Sequence, residues 1–241
     1  QIEEAIAWWN QGGIVAFVWH WRAGTENSFY ASETKFRIDM DPSSEAYKAI
    51  VKDIDDIAED LKALADAKVP VLFRPLHEAS GGWFWWGASG PGPYLELYRF
   101  MYDRLTNHHK LNNLLWVWNG QDPAWYPGNA YADVVGEDIY PEGGDYSSQV
   151  TRFQSAVEST EDGEAKLVAL TENGTMLDPV LLQQDGAWWS WFMTWNDGTA
   201  DKDNFWSSEA YTSSAKKKTF YANDYVLTLD ELPDLKTYPL E

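Results

Sequence analysis

Apolar positions along the chain fall into two alternating patterns. The first is a set of short runs rich in β-branched and aromatic residues: Ile14 to Trp21 (IVAFVWHW), Val69 to Leu76 (VPVLFRPL), Asn113 to Asn119 (NLLWVWN), Ala132 to Tyr140 (ADVVGEDIY), Lys166 to Thr171 and the Trp-rich Ala187 to Trp195. Their length and their polar boundaries predict buried strands. The second pattern has helical spacing. Ile50, Ile54, Ile57, Leu61 and Leu64 form one apolar stripe after Ser43 and Ser44, either of which can cap the helix. Further helices are predicted at Glu3 to Asn10, stopped by Gly12-Gly13, and at Tyr94 to Leu105, Ser147 to Glu158, Pro179 to Asp185 and Ser213 to Tyr221.

Strand followed by helix, repeated, implies parallel strands joined by right-handed crossovers. Polar residues close five of the strands, the arrangement of a (β/α)8 TIM barrel, which carries its chemistry at the carboxyl ends of its strands. Only six such strands are predicted, and the chain starts inside a helix at Gln1, which is not an initiator residue. The expectation is therefore a single catalytic (β/α) barrel domain over residues 1–241, with its first two βα units upstream. The segment from Arg22 to Pro42 reads as a long loop. His108 and His109, and the helical carboxylates Asp53, Asp55 and Asp56, read as solvated surface groups.

The densest stretch is Val69 to Gly87, VPVLFRPLHEASGGWFWWG. The strand stops on His77 and Glu78, poor core residues but good catalytic ones. Trp83, Phe84, Trp85 and Trp86 follow a glycine-rich turn. One face of a helix or strand buries about two of four consecutive rings, so exposed ring surface is expected beside the carboxylate. Indole faces suit the C–H faces of sugars; the competing reading makes each ring a plug of the core.

Composition narrows the partner. Lysine and arginine number 18 against 38 acidic residues, a net charge of −20, which disfavours nucleic acids and anionic membranes. No run reaches the roughly 20 apolar residues of a membrane-spanning helix. Fifteen tryptophans exceed what a core needs and favour a neutral polysaccharide. With no cysteine and four histidines, a transition-metal site is not expected. The zinc-protease pattern fails because Gly81 stands where its second histidine belongs, and neither a G-x-S-x-G elbow nor a glycine-rich phosphate loop occurs. Glu78 and Glu172, each closing a predicted strand, form the carboxyl pair that glycoside hydrolysis requires.

Together RPLHEASGGWFWWG, GEDIY, LTENG and WFMTWND resemble glycoside hydrolase family 26, from about Ile14 to the C-terminal Asp-Glu-Leu-Pro segment. The resemblance implies a retaining endo-glycanase with Glu78 as acid/base and Glu172 as nucleophile. It also implies that Tyr140 orients the nucleophile and that His20 and His77 line the subsite of the cleaved sugar. Trp83 would be the platform on the leaving-group side and Trp195 the floor beneath the cleaved sugar. The implied substrate is mannan or galactomannan, with a mixed-linkage β-glucan as the alternative; a non-catalytic polysaccharide-binding module on the same scaffold is the competing class. No cofactor, a monomeric state and secretion are expected.

Overall fold

The computed structural model describes residues 1–160, 166–197 and 204–238. Two compact bodies share the chain, Gln1–Val135 with Glu158–Lys166, and Gly136–Val157 with Leu167–Glu241. The first contains α1 (Ile2–Asn10), β1 (Val15–Trp19), α2 (Glu45–Asp66), β2 (Val71–Pro75), α3 (Pro91–Asp103), β3 (Leu114–Trp118) and the start of β4 (Val134–Ile139). The second contains the rest of β4, α4 (Val150–Glu158, but for its last residue), β5 (Leu167–Asn173), α5 (Pro179–Asp185), β6 (Phe192–Thr194) and α6 (Ser214–Tyr221).

In the first body the strands are parallel and in sequence order. Val15 to Trp19 pair with Val71 to Pro75, Val71 and Phe73 face Leu114 and Trp116, and Val117 and Trp118 face Val134 and Val135. In the second, β5 pairs in parallel with β6, with an irregularity between Leu170 and Asn173. Because β4 belongs to both bodies, the strand order runs β1-β2-β3-β4-β5-β6. Every strand lies beside the next in sequence, and α2, α3, α4 and α5 are crossovers of the kind the alternating pattern predicts, whereas β3 and β4 are joined by two short 3-10 turns.

Local chemistry sets the boundaries. Ser44 caps α2, its hydroxyl accepting from the Tyr47 amide at 3.0 Å. Ile50, Ile54, Ala58, Leu61 and Leu64 form the buried stripe; each of its isoleucines and leucines stabilises by about 1.5–3 kcal/mol when removed from water. Pro91 opens α3 after Gly90, whose φ of 84° only glycine adopts readily. That helix ends in a single π turn, Arg104–His108, which buries Leu105.

In two elements local chemistry moves a boundary away from the predicted one. Helix α4 begins at Val150 rather than Ser147, because Asp145 accepts from the Ser147 amide and Gln149 is left-handed at φ 54°. The strand predicted over Ala187–Trp195 is regular only at Phe192–Thr194. A tight turn, with the Trp189 amide on the Ala187 carbonyl at 2.9 Å, follows the left-handed Gly186, and Trp189 is spent on the core with its indole donating to the Ser148 carbonyl.

Candidate active site

In the first body the site is built at the end of β2. The ladder stops at Pro75, and Leu76 and Glu78 both take left-handed backbone, φ 54° and 52°. Such conformations cost about 1–3 kcal/mol each in non-glycine residues and persist only where the surroundings enforce them. Here the surroundings are hydrogen bonds from the turn to the end of β3 and from aromatic side chains. The Glu78 amide donates to Asn119 O at 2.7 Å and the Ser80 amide to Gly120 O at 3.2 Å. The Trp86 indole donates to His77 O at 2.8 Å, and the Tyr94 hydroxyl to Leu76 O at 3.3 Å.

The four rings after the turn divide sharply. Phe84, Trp85 and Trp86 are buried core plugs, whereas Trp83 is 46% exposed. Trp83 folds back over Gly81, where any Cβ would sit 1.9 Å from the indole, and its Nε1 donates to Glu78 Oε2 at 3.0 Å. The glycines of the turn thus let one tryptophan reach the carboxylate while its neighbours fill the interior.

His77 is buried, with ring contacts to His20 (4.6 Å, edge-on) and Phe84 (4.9 Å). Burial pushes its pKa down to about 2, and the Arg74 guanidinium and His20 add to the effect, so the ring is neutral. His20, against Phe29 at 4.9 Å, is also lowered, by burial first and then by Arg74 and Arg22. Arg74 is buried and donates to Asn119 Oδ1 at 2.6 Å. A neutral, half-enclosed imidazole pair can exchange hydrogen bonds with hydroxyl groups without carrying charge into the site. His77 Nδ1 has no hydrogen-bond partner among the described residues.

In the second body Glu172 is the penultimate residue of β5 and 4% exposed. The Tyr140 hydroxyl, just past β4, donates to Glu172 Oε2 at 2.5 Å. A phenolic donor to a buried carboxylate fixes its orientation and favours its charge. Tyr140 packs against Phe205 at 5.4 Å, and a Cβ on Gly174 would stand 3.1 Å from the Tyr140 ring and 3.0 Å from Phe205. Beneath, Asp138 accepts from Thr171 at 2.6 Å. Trp195 follows β6, half-buried, its amide on Asn173 O at 2.9 Å. Glu137 is spent on structure: it is buried and bonded by Arg152 of α4, with burial raising its pKa against the pull of that guanidinium.

The first body therefore groups His20, His77, Glu78 and Trp83, and the second groups Tyr140 and Glu172, with Trp195 bonded to the residue that follows Glu172 in β5. Residues the sequence reading passed over include Arg74, Asn119, Asp138 and Phe205. Asn119 and Asp138 carried the same signal as the glutamates, a polar residue closing an apolar run.

Residues 1–231 match the family model for glycosyl hydrolase family 26. The chain belongs to that family. Family 26 relatives agree with it over nearly its whole length. It is 43% identical to a mannan endo-1,4-beta-mannosidase of Thermothelomyces thermophilus over 96% of this chain and 48% of the relative. It is 36% identical to mannan endo-1,4-beta-mannosidase B of a Piromyces species, over 99% of this chain and 41% of that one. The crystal structure of a Podospora anserina GH26-CBM35 beta-(1,4)-mannanase superposes with a TM-score of 0.86 at 41% identity, covering 95% of this chain and 52% of the other. A beta-mannanase from a symbiotic protist of the termite Reticulitermes speratus, complexed with gluco-manno-oligosaccharide, superposes with a TM-score of 0.87 at 36% identity, covering 97% and 72%. This family 26 chain thus spans about half the length of the curated relatives it matches. Among its described residues no helix is long and apolar enough to cross a membrane.

Proposed function

We propose that this chain carries the catalytic residues of a secreted, retaining endo-β-1,4-mannanase, its six strands being part of a (β/α)8 barrel. The observation that carries the reading is the 2.5 Å bond from Tyr140 to the buried Glu172. A carboxylate aimed by a phenol is what a nucleophile needs. Relatives named as mannan endo-1,4-beta-mannosidases support the substrate class.

The reaction runs in two displacements. Glu78, protonated, donates to the glycosidic oxygen as the bond to C1 breaks, while ionised Glu172 attacks C1 and forms a glycosyl ester. Glu78, now a carboxylate, then takes a proton from water. That water attacks C1 and releases Glu172 with the original anomeric configuration. The chemistry requires the two carboxyl groups about 5–5.5 Å apart, against about 6.5–9.5 Å for inversion. Trp83 engages one oxygen of Glu78. Its open indole face is the surface on which a sugar of the leaving chain stacks. Neutral His77 and His20 bind hydroxyl groups of the cleaved sugar, and Trp195 lies beneath it.

The test is product analysis on galactomannan, lichenan and xylan side by side. The reading expects reducing ends released from galactomannan by the wild type and not by Glu172→Ala. Cleavage of lichenan alone would move the substrate to a β-glucan. Binding to mannan without cleavage would make the chain a polysaccharide-binding module.

A further inference from the structure

Five carboxylates on α2 have side-chain partners, and four of the five bond cations: Glu45 with Lys48, Asp56 with Lys52, Asp66 with Lys62, and Asp55 with Arg104 and His109. Asp53 differs. Its Oδ2 accepts from the Trp21 indole at 2.7 Å and from the Gly24 amide at 2.6 Å, and neither donor is charged. A half-buried carboxylate held by two neutral donors contributes direction, since its bonds demand one placement of both groups.

Both donors lie in the segment that leaves β1 directly after His20. Trp21 is 1% exposed, stacked on Trp19 at 4.3 Å and met edge-on by Trp85 at 4.9 Å. The Trp85 indole donates to Trp21 O at 2.7 Å, as the Trp86 indole donates to His77 O at 2.8 Å. Further along, the Trp85 amide bonds Phe29 O at 3.1 Å and the Ala31 amide bonds Trp83 O at 2.7 Å, around a bridge between Tyr30 and Phe84. The segment from His20 to Ala31 is thus clamped on one side by the run Trp83–Trp86 and on the other by a single side chain of α2.

We infer that Asp53 is a positioning residue of the site, setting His20 through Trp21 and Gly24. The inference rests on the proposed reaction only where activity is the readout. With His20 displaced, a sugar hydroxyl loses a fixed partner, and misplacement of a site group by about 1 Å lowers rates by as much as 10²-fold.

The experiment compares Asp53→Ala and Asp53→Asn by two readouts, each taken well below the unfolding temperature. One is kcat/KM on β-1,4-mannohexaose in the wild-type and His20→Ala backgrounds. The other is the imidazole chemical shift of His20, assigned by its loss in His20→Ala. Asn retains an oxygen that accepts from both donors, so it is expected to stay within about twofold of wild type, while Ala falls about tenfold. In the His20→Ala background the Ala effect shrinks to near unity, because both changes remove one interaction. The His20 resonance moves in Asp53→Ala and not in Asp53→Asn. Equal losses in both backgrounds, or an unmoved His20 resonance in Asp53→Ala, overturn the inference. Should Asp53→Ala fail to fold, Trp21→Phe, which removes the indole donor and keeps a ring, is read by the same two measures with the same outcomes. If wild type cleaves no mannohexaose, the functional reading fails while the His20 resonance still decides the role of Asp53.

Discussion

The ends of β2 and β5 both carry a glutamate, and they carry it in opposite ways. Strand β2 leaves its ladder before Glu78, passes through two left-handed residues and sets the carboxylate against the Trp83 indole. Strand β5 keeps Glu172 within the strand and bonds it to Tyr140. The proposed reaction gives the two ends different tasks. In it Glu78 holds and then loses a proton, whereas Glu172 stays ionised and points one way. Left-handed backbone and packing build the first end; a place inside β5 and a bond from Tyr140 build the second.

Breaking the β5 end has the largest effect. Glu172→Ala is expected to lower kcat on galactomannan by about 10⁴-fold or more, since the covalent step is lost. Glu78→Ala is expected to be equally damaging on the polymer and far less so on an aryl glycoside with a good leaving group. Equal losses on both substrates in the two variants would erase the distinction between the ends.

Tyr140→Phe sharpens the comparison from the same side. A hydrogen bond to a charged group contributes about 1.5–3 kcal/mol, so kcat is expected to fall about 10–100-fold. A variant with unaltered kcat would mean that the ladder alone aims Glu172.

At the β2 end the expected effect is on stability. Trp86→Phe keeps a buried ring and removes the donor to His77 O, leaving a carbonyl unsatisfied, at a cost of about 1–3 kcal/mol in urea unfolding. The corresponding change at the other end, Tyr140→Phe, also takes a donor from a buried acceptor, so a stability loss of the same order is expected there beside its effect on kcat.

The comparison was only partly legible in the sequence. Strand positions and the strand-end glutamates stood out because burial on both faces writes a continuous apolar run and chemistry interrupts it. Ile50 to Leu64 gave α2 for the same local reason. What escaped depends on partners far away in sequence. His109 and Asp55, read as solvated, are bonded at 2.6 Å across 54 positions, and Asp55 also accepts from Nε and Nη2 of Arg104 at 2.6 Å. Those donors, Arg104 first, hold the Asp55 carboxyl below its ordinary pKa. Asp53 looked like one more acid on a polar face until Trp21 came to it. The four rings from Trp83 to Trp86 could not be divided by composition, since which of them plugs the core depends on where Trp21 and Tyr94 lie. The strand over Ala187–Trp195 was overextended because tryptophan favours strands, while Gly186 and the turn after it take the first residues out of the ladder.

The smallest expected effect is on pH dependence, again at the β2 end. With its pKa held near about 2 by burial, folded His77 refuses the proton that the unfolded chain accepts below its ordinary value of about 6.5. Its contribution is therefore complete above pH 6.5 and declines as pH falls, by up to about 1.4 kcal/mol per pH unit. In His77→Gln the fall in urea midpoint between pH 7.5 and 5 is expected to be shallower than in wild type. The same slope in both would place the acid sensitivity elsewhere.

The central claim, that Glu172 attacks and Glu78 donates, is tested most directly by trapping the intermediate. Glu78→Ala, mixed with a 2-fluoro mannoside bearing a good leaving group, should gain the mass of one glycosyl unit, and digestion should locate it on the peptide containing Glu172. No adduct should form in Glu172→Ala. An adduct on another residue, or initial products of inverted configuration from the wild type, would contradict the account.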